Sequence, residues 1–268
     1  MQLFDGHTHS GNSYDGEHDV IFIAEKAEAK GLFGFAVTDH CDVERYQEDH
    51  LAQIIRQSIF DTRLAASIFK DRVKILAGME LGQPLSCIAD AENALRLGNF
   101  DYIIGSLHSL NGQQDFYFVD FEKHRREVPS ILESYFQQLL ELVQWGKFNT
   151  LAHITYPMRY IVGVYHIPVD IPVYQKKIDE IFRLLIEKEI ALELNTSGLR
   201  QSLGETLPSR ELLQRYYQLG GRLLTIGSDS HNAFDIGKGV REGVALAKEI
   251  GFPAYCYYEK KIPVEIPL

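Results

Sequence analysis

The sequence is short of several things, and each shortage excludes something. Only three of its 268 residues are cysteine. Cys41, Cys87 and Cys256 are far apart, odd in number and form no CxxC pair. A disulfide framework and a thiolate zinc knot are therefore excluded, and a reducing cytoplasm is the expected compartment. No apolar run approaches the ~20 residues needed to cross a bilayer, so no membrane role is expected. The start, MQLFDGHTHS, lacks a basic stretch followed by an apolar one, so no secretory signal is expected. Basic charge is also in deficit: 27 Lys and Arg stand against 37 Asp and Glu, a net charge of −10. Contact with a phosphate backbone needs clustered Lys and Arg, so no nucleic-acid partner is expected. Repeats, low-complexity tracts and linkers are missing too. The remaining composition, 45% hydrophobic and 24% charged, is that of a globular protein.

What the chain does have is alternation. Short apolar runs predict strands near Leu3–His9, Gly34–His40, Val73–Leu81, Tyr102–His108, Thr150–Ile154, Ile190–Asn195 and Leu223–Asp229. Helical patterns follow near Val20–Lys30, Glu48–Phe69, Asp90–Leu97, Ser130–Trp145, Val173–Lys188, Ser209–Leu219 and Ile236–Ile250. Gly31, Gly98, Gly146, Gly220 and Gly251 stand just past helical runs, where capping glycines occur. Seven strand–helix units imply a largely parallel, covered sheet, either a closed barrel or an open doubly wound sheet. No GxGxxG turn follows the first strand, which argues against a dinucleotide site. The expectation is an α/β fold, a distorted (β/α)7 TIM-like barrel, with residues 1–268 forming one domain.

Metal-type side chains fall at the C-terminal ends of six of the seven predicted strands. These are His7 and His9, then His40, Glu80, His108 and His153, and finally Asp229 and His231. That rim is where barrels build active sites. Residues two apart on a strand share a side, so His7 can aim with His9, and Asp229 with His231. Imidazole and carboxylate donors suit zinc, iron or manganese. Their number exceeds what one ion needs, and a carboxylate such as Glu80 can bridge two ions.

The pieces Asp5-Gly-His-Thr-His9, Thr38-Asp-His40, Gly78-Met-Glu-Leu81, Gly105-Ser-Leu-His108 and Gly227-Ser-Asp-Ser-His231 together resemble the polymerase and histidinol phosphatase superfamily. With the segment His153–Tyr160, they look most like its stand-alone histidinol-phosphate phosphatases. The resemblance implies three divalent metal ions. His7, His9, Glu80 and Asp229 would hold the first. Glu80, His108 and His153 would hold the second. His40, His231 and a first-loop residue would hold the third. Many members carry histidine where this chain has Asp15; Asp15 is assigned here as a competent hard ligand, with His18 as runner-up.

The chemistry so implied is hydrolysis of a small phosphomonoester, L-histidinol phosphate, by metal-bound hydroxide at a trinuclear centre. Arg159 and Arg200 are expected to bind the phosphate. Asp229 or His231 is expected to supply the leaving group's proton. The loop Thr155–Pro172 reads as a lid or pocket wall, and Asn111–Glu122 as a small hairpin or flap. Asp42, Glu44 and Asp115 are candidate partners for the substrate's imidazole or amine. The assembly is expected to be a monomer or small homo-oligomer. The alternatives are phosphoesterase action on nucleotides or phosphotyrosine, and a metal-dependent amidohydrolase.

Overall fold

The computed structural model describes residues 2–268. Its centre is a parallel sheet running in the order β1 (Phe4–Thr8), β2 (Gly34–Val37), β4 (Lys74–Gly82), β5 (Tyr102–Ser106), β6 (Thr150–Leu151), β7 (Ala191–Asn195) and β8 (Leu224–Gly227). A short strand β3 (His40–Asp42) pairs with the far end of β4. The sheet curls into a distorted barrel that β1 and β8 close at one end only. There Asp229 donates its N–H to the His7 carbonyl and His9 to that of Ser230, each at 2.8 Å. The closing segment is thus the one that carries four of the candidate site side chains.

Burial explains the strands. Every residue of β1, β2, β5, β7 and β8 is buried, as expected for parallel strands covered on both faces. The cover comes from α1 (Val20–Ala29), α2 (Leu51–Ile68), α3 (Ile88–Leu95), α4 (Val128–Trp145), α5 (Gln175–Glu187), α6 (Arg210–Gln218) and α7 (Val240–Ile250). Their ends follow capping chemistry. Asp19 accepts from the Phe22 N–H at the start of α1, Ser209 accepts from Leu212 at α6, and Gly146 ends α4 in the left-handed region. One apolar cluster runs through sheet and helices. Among the described residues no helix is long and apolar enough to cross a membrane.

Several sequence expectations need correction. The second predicted strand divides: Thr38 and Asp39 interrupt it, and His40 begins the separate strand β3 opposite Glu80. The fifth keeps only two strand residues, so His153 stands on the loop beyond it. The segment Asn111–Glu122 contains no strand; it is turns around a short 3-10 helix at Phe116–Phe118, because Asp115 caps its backbone on the Tyr117 N–H at 2.7 Å. Gly98 is not a left-handed cap; its φ is not positive, and a Cβ there would meet only the tip of the Ile59 side chain, at 2.7 Å.

A terminal hairpin, β9 (Ala254–Glu259) and β10 (Ile262–Pro267), was not anticipated. Its turn is Lys260-Lys261, both with positive φ, where Asn-Gly would be the usual signal. Prolines 263 and 267 also disguise β10, which tolerates them as an edge strand. The hairpin packs on the barrel through Tyr257 stacked on Phe4 and Tyr258 stacked on Tyr102. The Tyr255 hydroxyl accepts from the Phe4 N–H and donates to the Gln2 carbonyl, both at 2.9 Å. Tyr255→Phe leaves that buried N–H without a partner, so unfolding in urea should show a loss of about 1–3 kcal/mol. An unchanged midpoint would mean the hairpin does not hold β1 in this way.

Candidate metal centre

Glu80 is the hub. It is fully buried inside β4, where a carboxylate is tolerated only with compensation. Five imidazoles supply that compensation. Oε1 lies 3.0 Å from His108 Nε2 and 3.1 Å from His153 Nε2. Oε2 lies 3.2 Å from His7 Nε2, 3.4 Å from His9 Nε2 and 3.1 Å from His40 Nδ1.

The Nε2 atoms face one another in three pairs, each pair beside a carboxylate oxygen. His7 and His9 are 3.0 Å apart, with Asp229 Oδ1 at 3.7 and 3.5 Å and Glu80 Oε2 alongside. His108 and His153 are 3.4 Å apart over Glu80 Oε1. His40 and His231 are 3.4 Å apart, with Asp15 Oδ2 at 3.6 and 3.2 Å. Three residue triples bring their donor atoms within 4.8 Å of one another: His7, His9 and Asp229; His9, His40 and His231; and His40, Glu80 and His108. Two imidazole lone pairs facing at such a distance repel unless a cation or proton lies between them. The donor set therefore fits divalent metal ions, with nitrogen and oxygen in the mixture that zinc, iron and manganese accept.

A surrounding layer of hydrogen bonds fixes which ring nitrogen faces inward. Glu193 Oε1 lies 2.6 Å from His7 Nδ1. Its Oε2 accepts from the His153 N–H at 2.8 Å and from Asn195 Nδ2 at 3.1 Å. His9 is set less directly. The Ser13 hydroxyl donates to Asp39 Oδ1 at 2.9 Å, so its lone pairs are left to accept the His40 N–H at 3.1 Å and His9 Nδ1 at 3.2 Å. With Nδ1 protonated in both rings, Nε2 is the free donor atom of each.

Charge follows from these contacts. Burial alone would raise the Glu80 pKa, but His7, His108 and His40 outweigh it and hold the carboxyl well below its usual range. Asp229 is likewise held low against burial, by Arg159 and then His7. Burial disfavours the protonated His7, yet Glu193, Glu80 and Asp229 raise it well above the ordinary value. His108 is raised to about 10, chiefly by Glu80 against burial. His9 and His153 go the other way, pushed down by burial first. Burial disfavours the protonated His40 too, yet Glu80 and Asp15 raise it well above the ordinary value.

The site opens into a cavity of about 380 Å³ lined by Asp15, His40, Glu80, His108, His153, Asp229 and His231, together with Arg159 and an aromatic wall. A model of the PHP domain family matches residues 5–197. The chain belongs to the PHP domain family. This PHP chain is 27% identical over 266 residues to a probable histidinol-phosphatase of Thermotoga maritima, covering 97% of each chain. It is 29% identical over 256 residues to the histidinol-phosphatase of Lactococcus lactis, covering 94% of this chain and 93% of that one. Among solved structures, it superposes on the Lactococcus lactis histidinol phosphate phosphatase, complexed with zinc, L-histidinol and phosphate, with a TM-score of 0.77. That match has 26% identity and covers 98% and 99% of the two chains.

Within this PHP site, two residues stand elsewhere than the sequence suggested. Arg200 does not line the cavity. Its guanidinium donates to the carbonyls of Ser228 at 2.6 Å and Asp229 at 2.7 Å and pairs with Asp235, and so it braces the left-handed backbone of Asp229, at φ 54°. His18 points away from the rim, stacked on Phe22, with Nδ1 toward the Ala233 N–H; Asp15 is the first-loop residue that faces His40 and His231. Sequence reading also missed Glu193, Asn195 and Ser13. A charged residue in the middle of the buried run Ala191-Leu-Glu-Leu-Asn195 was the available signal for Glu193.

Ser13→Ala removes the acceptor that orients His9, and should weaken divalent-ion binding about 10–100-fold in a chelator competition. Unchanged affinity would deny Ser13 that role. Because incoming ions must displace protons from His7, His40 and His108, metal binding near neutral pH should release protons and tighten as pH rises. Calorimetry in buffers of differing ionisation enthalpy checks this, and heats independent of the buffer would contradict it.

Proposed function

We propose that residues 1–268 form one metal-dependent phosphomonoesterase domain that hydrolyses L-histidinol phosphate to L-histidinol and phosphate. The observation that carries the reading is the meeting of three imidazole–carboxylate groups and one largely enclosed arginine, Arg159, at a single cavity. Relatives named histidinol-phosphatase along almost the whole chain support the substrate, as does the similar structure complexed with zinc, L-histidinol and phosphate. The acidic net charge of −10 disfavours a nucleic-acid substrate. A cytoplasmic enzyme of a small-molecule biosynthetic reaction is the setting this implies.

The residues that would hold three ions are His7, His9, Glu80 and Asp229; Glu80, His108 and His153; and Asp15, His40 and His231. Divalent ions there would supply Lewis acidity, lowering the pKa of water and neutralising phosphate charge. The rest belongs to the chain. The Arg159 side chain is 10% exposed, and its Nη2 contacts the Asp229 carboxylate and donates to Ser197 Oγ at 2.6 Å. Its Nε is buried without a hydrogen-bond partner among the described residues. The guanidinium lines the cavity and is suited to a phosphate oxygen. Asp229, kept ionised by Arg159 and His7, is the base placed to accept the proton lost by an attacking water. His231 lines the same cavity with its side chain 29% exposed and is the second group able to pass a proton to the leaving alkoxide. The turn and helical segment Thr155–Val164, bearing Tyr156, Arg159 and Tyr160, forms a wall of the pocket.

The direct test is phosphate release by metal-loaded protein from L-histidinol phosphate, phosphotyrosine and nucleoside monophosphates. The highest kcat/KM should fall on L-histidinol phosphate; a preference for another ester would retain the chemistry and reject the substrate. Arg159→Ala should lower kcat/KM by about 1.5–3 kcal/mol through loss of a charge-assisted bond. An unchanged value would remove Arg159 from the site.

A further inference from the structure

The cavity has a second wall that the phosphate chemistry does not use. Asp115 approaches from the segment after β5, and Tyr156 and Tyr160 from the segment after β6. The Tyr156 hydroxyl donates to Asp115 Oδ1 at 3.1 Å and lies 2.9 Å from the Tyr160 hydroxyl. Asp115 Oδ1 also accepts the Tyr117 N–H, whereas Oδ2 has no hydrogen-bond partner among the described residues.

Counting protons decides what this wall can offer. A carboxylate only accepts, and a phenol has one proton and two lone pairs. Tyr156 gives its proton to Asp115, so the shared contact with Tyr160 is filled by the Tyr160 proton. Burial raises the pKa of both phenols, which keeps both protons in place. The Tyr160 oxygen and Asp115 Oδ2 are then left with lone pairs alone. At the mouth, Tyr117 and Phe118 are 67% and 68% exposed, and the Tyr117 ring meets Tyr160 edge-on at 6.0 Å. Such faces attract cations and planar rings.

We propose that Asp115, Tyr156 and Tyr160 form an acceptor-only wall that binds a cationic N–H group on the alcohol half of the substrate, and so select amine- or imidazole-bearing phosphomonoesters over neutral ones. The inference rests on the phosphatase reading above and extends it to the part of the substrate remote from phosphorus. Ammonium and imidazolium share the required chemistry, and the test separates them.

The experiment compares kcat/KM on L-histidinol phosphate, its deaminated analogue 3-(imidazol-4-yl)propyl phosphate, and L-phenylalaninol phosphate, which keeps the amine and replaces the imidazole. The wild-type protein should lose about tenfold or more on the ester lacking the group that the wall binds. A penalty on the deaminated ester assigns the ammonium, and one on the phenyl ester assigns the imidazole. Asp115→Asn should bring that ratio close to one, and Tyr160→Phe should reduce it. All three esters share the phosphate half, so misfolding or poor metal loading does not move the ratio. Binding of L-histidinol itself, followed by calorimetry, should weaken about tenfold in Asp115→Asn. No preference in the wild type, or a ratio untouched by both substitutions, overturns the wall. If metal-loaded protein turns over none of the esters, the phosphatase reading falls, and the L-histidinol titration still decides the wall: a Kd unchanged by Asp115→Asn rejects it.

Discussion

A single carboxylate, that of Glu80, sits where the barrel's interior meets its open rim, fully shielded from bulk solvent. Burying such a charge costs several kcal/mol unless it is compensated. The compensation comes from rings on and just past β1, on β3 and on the loops after β5 and β6. These elements are far apart in the chain and adjacent only because the sheet runs parallel and curls. The rest of the site is arranged around that requirement: Asp229 and Asp15 serve the remaining ring pairs, and the surrounding hydrogen bonds turn the nitrogens inward.

The same economy of placement appears one shell further out. Glu193 reaches His7 with one oxygen and the His153 backbone with the other, so one side chain sets residues assigned to different ions. Asp39 orders the first loop through Ser10 and Ser13 and reaches His9 only through the Ser13 hydroxyl. Arg200 acts on Asp229 from behind, through backbone carbonyls. A substitution at any of these positions would be felt at the centre without touching it.

Much of this was legible in the chain. The seven apolar runs locate the barrel strands, and the polar residues ending them converge, because alternation along a strand fixes which side chains share a face. Less was legible where a tertiary partner decides the outcome. His40 belongs to a separate strand because Glu80 lies opposite it, which local propensity does not report. The hairpin at Lys260-Lys261 is held by Asp101, whose side chain and carbonyl accept the two N–H groups; no turn residue in the sequence announces it. Arginine has the same long reach in either direction, so position after a strand could not say that Arg159 enters the cavity while Arg200 turns to the backbone.

The central claim is that these donors gather to hold several cations together. Elemental analysis of protein saturated with zinc or manganese and freed of loose ions by gel filtration tests it most directly. The account predicts more than one tightly held divalent ion per chain, approaching three. One ion or fewer per correctly folded chain would contradict it.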